Sequence, residues 1–213
     1  MIRIKTIGSL LFWGSYCYFS FLLLLITLQY LPYNTDVAFL RIKQDVIGLT
    51  YYKIAFFTHV YTSFFLMILG AFQFIVPVKK QTKIMHRISG RLYGFIVVFC
   101  SGPSGLIMAY HANGGVVAKI SFVILSFLWV YFTIMAVKYA IKKQLVLHQK
   151  FALRSFALTM SAISLRLFKY LIVASFHPQQ MDAYRIVAWL GWTFNLLLAE
   201  IIIFYKYPKK YSE

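Results

Sequence analysis

The sequence predicts an all-α integral membrane protein, a bundle of six transmembrane helices with both termini in the cytoplasm. Three observations predict it. Of 213 residues, 61% are hydrophobic and only 13% charged, where soluble domains average roughly 45–50% and about 25%. The apolar excess is divided into separate stretches, each near the ~20 residues that a spanning helix needs. Basic residues collect in alternate connections, as the positive-inside rule requires.

The first span is read over 7–30. "MIRIKTIGSLLFWGSYCYFSFLLLLITLQYL" has a basic start and a long apolar run. It is too long and too aromatic for a cleaved signal peptide, and no A-x-A stands near its end. The polar connection 31–53 predicts an outer loop with a short interfacial helix. Five more spans follow at 54–77, 90–111, 116–138, 152–175 and 185–205, all in one membrane domain, 1–213. Gly102-Pro103 predicts a bend in span three, because proline removes a backbone donor.

Charge sets the orientation. One side carries Arg3 and Lys5, then Lys79, Lys80, Lys83, Arg87 and Arg91, then Lys138, Lys142, Lys143, Lys150 and Arg154, and finally Lys206, Lys209 and Lys210. The other side has Arg41, Lys43, Lys53, Lys119 and Arg185. That excess on the first side places both termini and "KKQTKIMHR" in the cytoplasm.

Several faces are not purely apolar. Span two aligns His59, Ser63, Gly70 and Gln73 at helical spacing. Span five aligns Ser155, Thr159, Ala162, Arg166 and Lys169, and span three gathers Gly90, Gly94, Ser101, Gly105 and Met108. Small and polar residues on one face let helices approach closely. Spans two, three and five are therefore expected at the centre, with one, four and six towards lipid, although Asn195 and Glu200 give span six an inward side. Arg166, deep in span five, is expected to meet span two near His59, Ser63 or Gln73.

The formal charge of +17 fits the lipid bilayer as partner better than nucleic acid, because the cations cluster between apolar runs. Cys17 and Cys100 fall inside spans and suggest neither a disulfide framework nor a zinc site, and no CxxCH stretch is present for a c-type haem. No nucleophile–base arrangement or phosphate loop is visible.

The histidines sort by depth. His86 and His148 stand at the cytoplasmic starts of spans three and five, His59 and His111 near the outer ends of spans two and three, and His177 in an outer loop. Two levels of paired imidazoles suit bis-histidine ligation of haem b, with the iron held between facing helices. Arg87, Arg91 and Arg154 at the inner level, and Arg166 at the outer, would meet the propionates. The bland reading is that His86 and His148 are interfacial side chains among other cations, or that the basic pocket holds a lipid phosphate or another anion. Three functions compete: a haem-binding electron carrier with a quinone or other membrane redox partner; a small transporter or channel with a His/Arg-lined path, built as a homodimer if one chain is insufficient; and a non-catalytic scaffold.

"HRISGRLYG" (86–94) and "HQKFALRSFALTMSAISLRL" (148–167), with His59, "GAFQF" (70–74) and "NGG" (113–115), resemble the signatures of the DUF2306 family of predicted bacterial membrane proteins, over roughly 55–170. "QKFAL" after His148 departs from the family pattern, which has a bulky residue followed by methionine there. The resemblance implies a multi-pass protein of the bacterial inner membrane. The pattern is also loosely similar to cytochrome b561-type bundles, but span four carries no histidine, so an outer haem would need His59 and His111.

Overall fold

The computed structural model describes residues 2–75 and 82–207, and among them the chain is helical without strands. The helices are α1 (Ile2–Leu28), α2 (Thr50–Ile75), α3 (Lys83–Phe95), α4 (Gly102–Tyr110), α5 (Gly115–Ile141), α6 (Leu145–Thr159), α7 (Ser161–Phe176) and α8 (Gln180–Lys206). A 3₁₀ turn spans Ala38–Lys43, and a π-helical segment, Ile96–Ser101, joins α3 to α4. Five stretches are long and apolar enough to cross a membrane, and the bent pair α6–α7 makes a sixth if it is counted as one span. Lys79, Lys80, Lys209 and Lys210 lie outside the described residues.

The chain divides into two compact units at Gly48. In the first, α1 is followed by the 31–53 connection, whose expected short helix is the 3₁₀ turn. That turn is tied locally: the Phe39 N–H donates to the Tyr30 hydroxyl at 3.3 Å, and Gln44 Nε2 donates to the Thr35 and Leu40 carbonyls.

In the second unit α5 is the central helix. It packs against α4, α6, α8, α3 and the π segment, while α2 packs on α3, α4 and α6, and α8 on α7 and α6. The core is Leu66, Tyr93, Val97, Trp129, Leu158 and Trp192. This corrects the expectation that span four faces lipid. Ala118, Ser121, Ser126, Thr133 and Ala136 are buried on α5, and α8 buries Gly191, Trp192 and Asn195. Lipid and a membrane bundle's interior are both apolar, so the inward face of span four differs from its outward face in side-chain size more than in polarity.

Two further differences concern breaks. Where a bend was expected at Gly102-Pro103, the chain runs as one membrane-length stretch, Lys83–Tyr110, with the π segment just before the proline, where the Gly102 N–H reaches the Val97 carbonyl five residues back. A π turn is one way a helix accommodates a lost donor. Span five starts earlier than expected, at Leu145, and breaks by 42° at Met160. No proline or glycine stands there. The Ser161 hydroxyl donates to the Leu158 carbonyl at 2.6 Å, and Thr159 Oγ1 donates to the Ser155 carbonyl at 3.2 Å. Such side-chain bonds to helix carbonyls compete with the ladder and bend it.

Candidate functional site: two levels of histidine

His86 and His148 lie near the N-termini of α3 and α6, at one end of the bundle. His148 Nδ1 lies 2.9 Å from the Ala136 carbonyl in the last turns of α5. A carbonyl only accepts, so Nδ1 is the donor in this bond and Nε2 is directed away from it. His86 is half-buried, and its Nδ1 is shielded from solvent with no hydrogen-bond partner among the described residues. The two rings are near enough for their charges to interact. Buried polar nitrogens are nearly always bonded, so the orphan at His86 is the feature most in need of a ligand.

The backbone around His86 is fixed from α2. Gln73 Nε2 donates to Ser89 Oγ at 2.5 Å and to the His86 carbonyl at 3.3 Å. A Cβ on Gly90 would lie 3.1 Å from Gln73 Oε1, so this glycine lets the amide reach across. Gly70 does the same for Phe156, which a Cβ would approach to 2.6 Å. Phe156 then stacks on Phe74 with ring centroids 4.8 Å apart.

The arginines divide. Arg154 is committed to Glu200 of α8, with Nε 2.5 Å from Oε1 and Nη2 2.7 Å from Oε2. It also stands over the Phe151 ring, 5.2 Å from the centroid. Arg87 and Arg91 are exposed on α3.

The second level is deeper. His59 Nδ1 lies 2.9 Å from the Ser101 carbonyl of the π segment, so that Nδ1 is again the donor. Gly105 makes room for the ring, since a Cβ there would stand 3.0 Å from Cε1. Arg166 of α7 is an exposed side chain within electrostatic range of His59. It donates from Nη1 to the Ala162 carbonyl at 2.6 Å.

His111 is not brought to His59. Its Nε2 is hydrogen bonded with the Tyr51 hydroxyl at 2.9 Å, and its ring packs edge-on against Tyr52 and Tyr110. Tyr51 precedes His59 by eight residues, roughly 12 Å along α2. The tyrosines hold His111 there, so the second level offers one imidazole where a pair was expected. His177 is exposed in the left-handed residue after α7.

Between the levels lies a buried hydroxyl cluster. Tyr93 Oη is 2.9 Å from Ser155 Oγ and 2.6 Å from Thr159 Oγ1. Trp129 Nε1 donates to Thr159 Oγ1 at 3.1 Å, and Thr133 Oγ1 is 2.7 Å from Ser155 Oγ. Sequence reasoning placed Ser155 and Thr159 on an inward stripe but missed their partners, Trp129 and Thr133, on the helix it turned towards lipid.

Residues 56–203 match the family described as "Predicted membrane protein (DUF2306)". The chain belongs to that family. The match runs past the 55–170 expected from motifs and takes in α8, and so Glu200. No curated protein and no solved structure matches the chain. With the DUF2306 fold in view, most of the motif residues are seen to join helices: Gly70, Gln73, Phe74, Gly90 and Tyr93 link α2, α3 and α6. Gly114 of "NGG" has φ +84° and offers its carbonyl to Arg185 Nε at 3.1 Å, a left-handed turn that glycine adopts without strain. His86, His148 and His59 are the motif residues that packing alone does not explain.

Proposed function

We propose that this multi-pass membrane protein is a one-electron carrier in which His86 and His148 hold a single b-type haem between the starts of α3 and α6. The observation that carries the reading is the pairing of a locked imidazole, His148 on the Ala136 carbonyl, with a neighbouring imidazole whose buried Nδ1 has no partner among the described residues. The donor set fits the group. Among the described residues no three His, Cys, Asp or Glu side chains cluster around a bare metal ion, whereas a haem iron asks the protein for two imidazoles.

The haem, when bound, supplies reversible one-electron chemistry at its iron. The chain supplies position and field. Ala136 fixes the tautomer and orientation of His148 and raises the basicity of its Nε2, as carbonyl partners of ligating histidines do. Gln73 holds the backbone at His86. Lys83 and Lys150, near the starts of α3 and α6, give that end a cationic character suited to two propionates.

The test is the absorption spectrum of the protein purified in detergent from haem-replete cells. A Soret band that disappears in His86→Ala and His148→Ala supports the reading. A colourless wild-type protein that takes up no added haemin overturns it.

A second reading, a transporter or channel for a proton or small anion, draws on another observation, the presence of His59 and Arg166 within the apolar helices α2 and α7. Ionisable groups at that depth mark function by default. A colourless protein that passes an anion or protons across proteoliposomes, and stops doing so in His59→Ala, would favour it.

A further inference from the structure

The outward face of α3 poses a charge problem that the proposed haem site does not require. Lys83, Arg87 and Arg91 recur every four residues and are all exposed. Neither arginine makes an ion pair or hydrogen bond among the described residues. Within the second unit both described acids are already engaged, Glu200 by Arg154 and Asp182 by Arg185.

Position along the helix sharpens the problem. Arg87 and Arg91 stand about one turn apart on one side of α3, roughly 6 Å along the axis, where two like charges repel. Beyond Arg91 the same outward side turns wholly apolar, with Leu92, Phe95 and Phe99 exposed by 46%, 56% and 68%.

We infer that this face binds an anionic phospholipid, with the headgroup phosphate between Arg87 and Arg91 and an acyl chain along Leu92, Phe95 and Phe99. A phosphate accepts charge-assisted bonds from both guanidinium groups and cancels their repulsion. The cation-then-apolar order along the helix repeats the headgroup-then-tail order of the lipid. A soluble anion would use only the first half of that pattern.

The test measures lipid retained by the full chain in mild detergent, by native mass spectrometry, with phosphatidylglycerol and phosphatidylcholine offered at equal concentration. The wild type is expected to retain phosphatidylglycerol preferentially. Each arginine removed, as Arg87→Gln and Arg91→Gln, should weaken retention by about fivefold, while Lys119→Gln at the other end of α5 should not. Should the double variant fail to fold, the wild type alone decides: added salt should release phosphatidylglycerol before phosphatidylcholine. The inference is overturned by equal retention of the two lipids, by retention indifferent to both arginines or to salt, or by full displacement of phosphatidylglycerol by inorganic phosphate.

Discussion

The histidine end and the hydroxyl core use the same helices, α3 and α6, and differ in one respect. In the core, Tyr93, Ser155, Thr159, Trp129 and Thr133 meet one another at 2.6–3.1 Å. At the histidine end, His148 is half-satisfied by a carbonyl and His86 Nδ1 has no hydrogen-bond partner among the described residues. A closed hydrogen-bond network inside a membrane bundle holds helices together. An open one is costly unless something completes it. The two regions look alike in sequence, as polar residues inside apolar runs, and the difference between glue and site emerges only when partners are counted.

The comparison breaks most sharply at the histidines. His86→Ala and His148→Ala should each abolish the haem spectrum, while the melting temperature of the haem-free protein stays close to that of haem-free wild type. A haem-free variant that unfolds well below that reference would move these residues into the structural class. The reciprocal change is Thr159→Val, which removes the acceptor shared by Tyr93 and Trp129. It should cost roughly 1–2 kcal/mol, the upper range for such bonds in membranes, measured as reversible unfolding in mixed micelles, and leave the Soret maximum in place.

Arg154→Ala stands between the two regions. It strips Glu200 of a bidentate partner, but that carboxylate is 44% exposed, and water takes over part of the loss. A cost of about 1 kcal/mol is expected, and Arg154→Ala with Glu200→Ala should recover part of it. A larger effect on haem retention than on unfolding would instead give Arg154 the propionate role that its position beside His148 first suggests. The smallest effect belongs to Tyr93→Phe. Ser155 and Thr159 keep Thr133 and Trp129 as partners, so the loss should be about 0.6 kcal/mol, with the spectrum unchanged.

Much of this architecture was legible because membrane spans announce themselves by length and apolarity. The apolar spans, the inward positions of Ser155 and Thr159, and the placing of His86 and His148 near the starts of α3 and α6 follow from spacing. Three features did not. The inward face of α5 is built from Ala118, Ser121, Ser126, Thr133 and Ala136, and hydropathy cannot separate lipid-facing from protein-facing positions when both environments are apolar. The bend at Met160 comes from hydroxyls of Thr159 and Ser161 bonding to carbonyls, residues that are as common in straight membrane helices. His111 was paired with His59 because both stand near outer span ends. The Tyr51 hydroxyl holds it elsewhere, and such a partner leaves no mark in spacing. Glu200 was visible as an inward residue, but its partner was not, since Arg154 is 46 positions away.

The haem content per chain tests the central claim most directly. One inner pair of imidazoles and a second level with a single imidazole at His59 predict one haem per polypeptide, measured by pyridine haemochrome against protein concentration, and none in His86→Ala or His148→Ala. A value of zero in the wild type after haemin reconstitution would contradict the electron-carrier reading. A value of two would contradict the placement of His111 with Tyr51 and return it to His59.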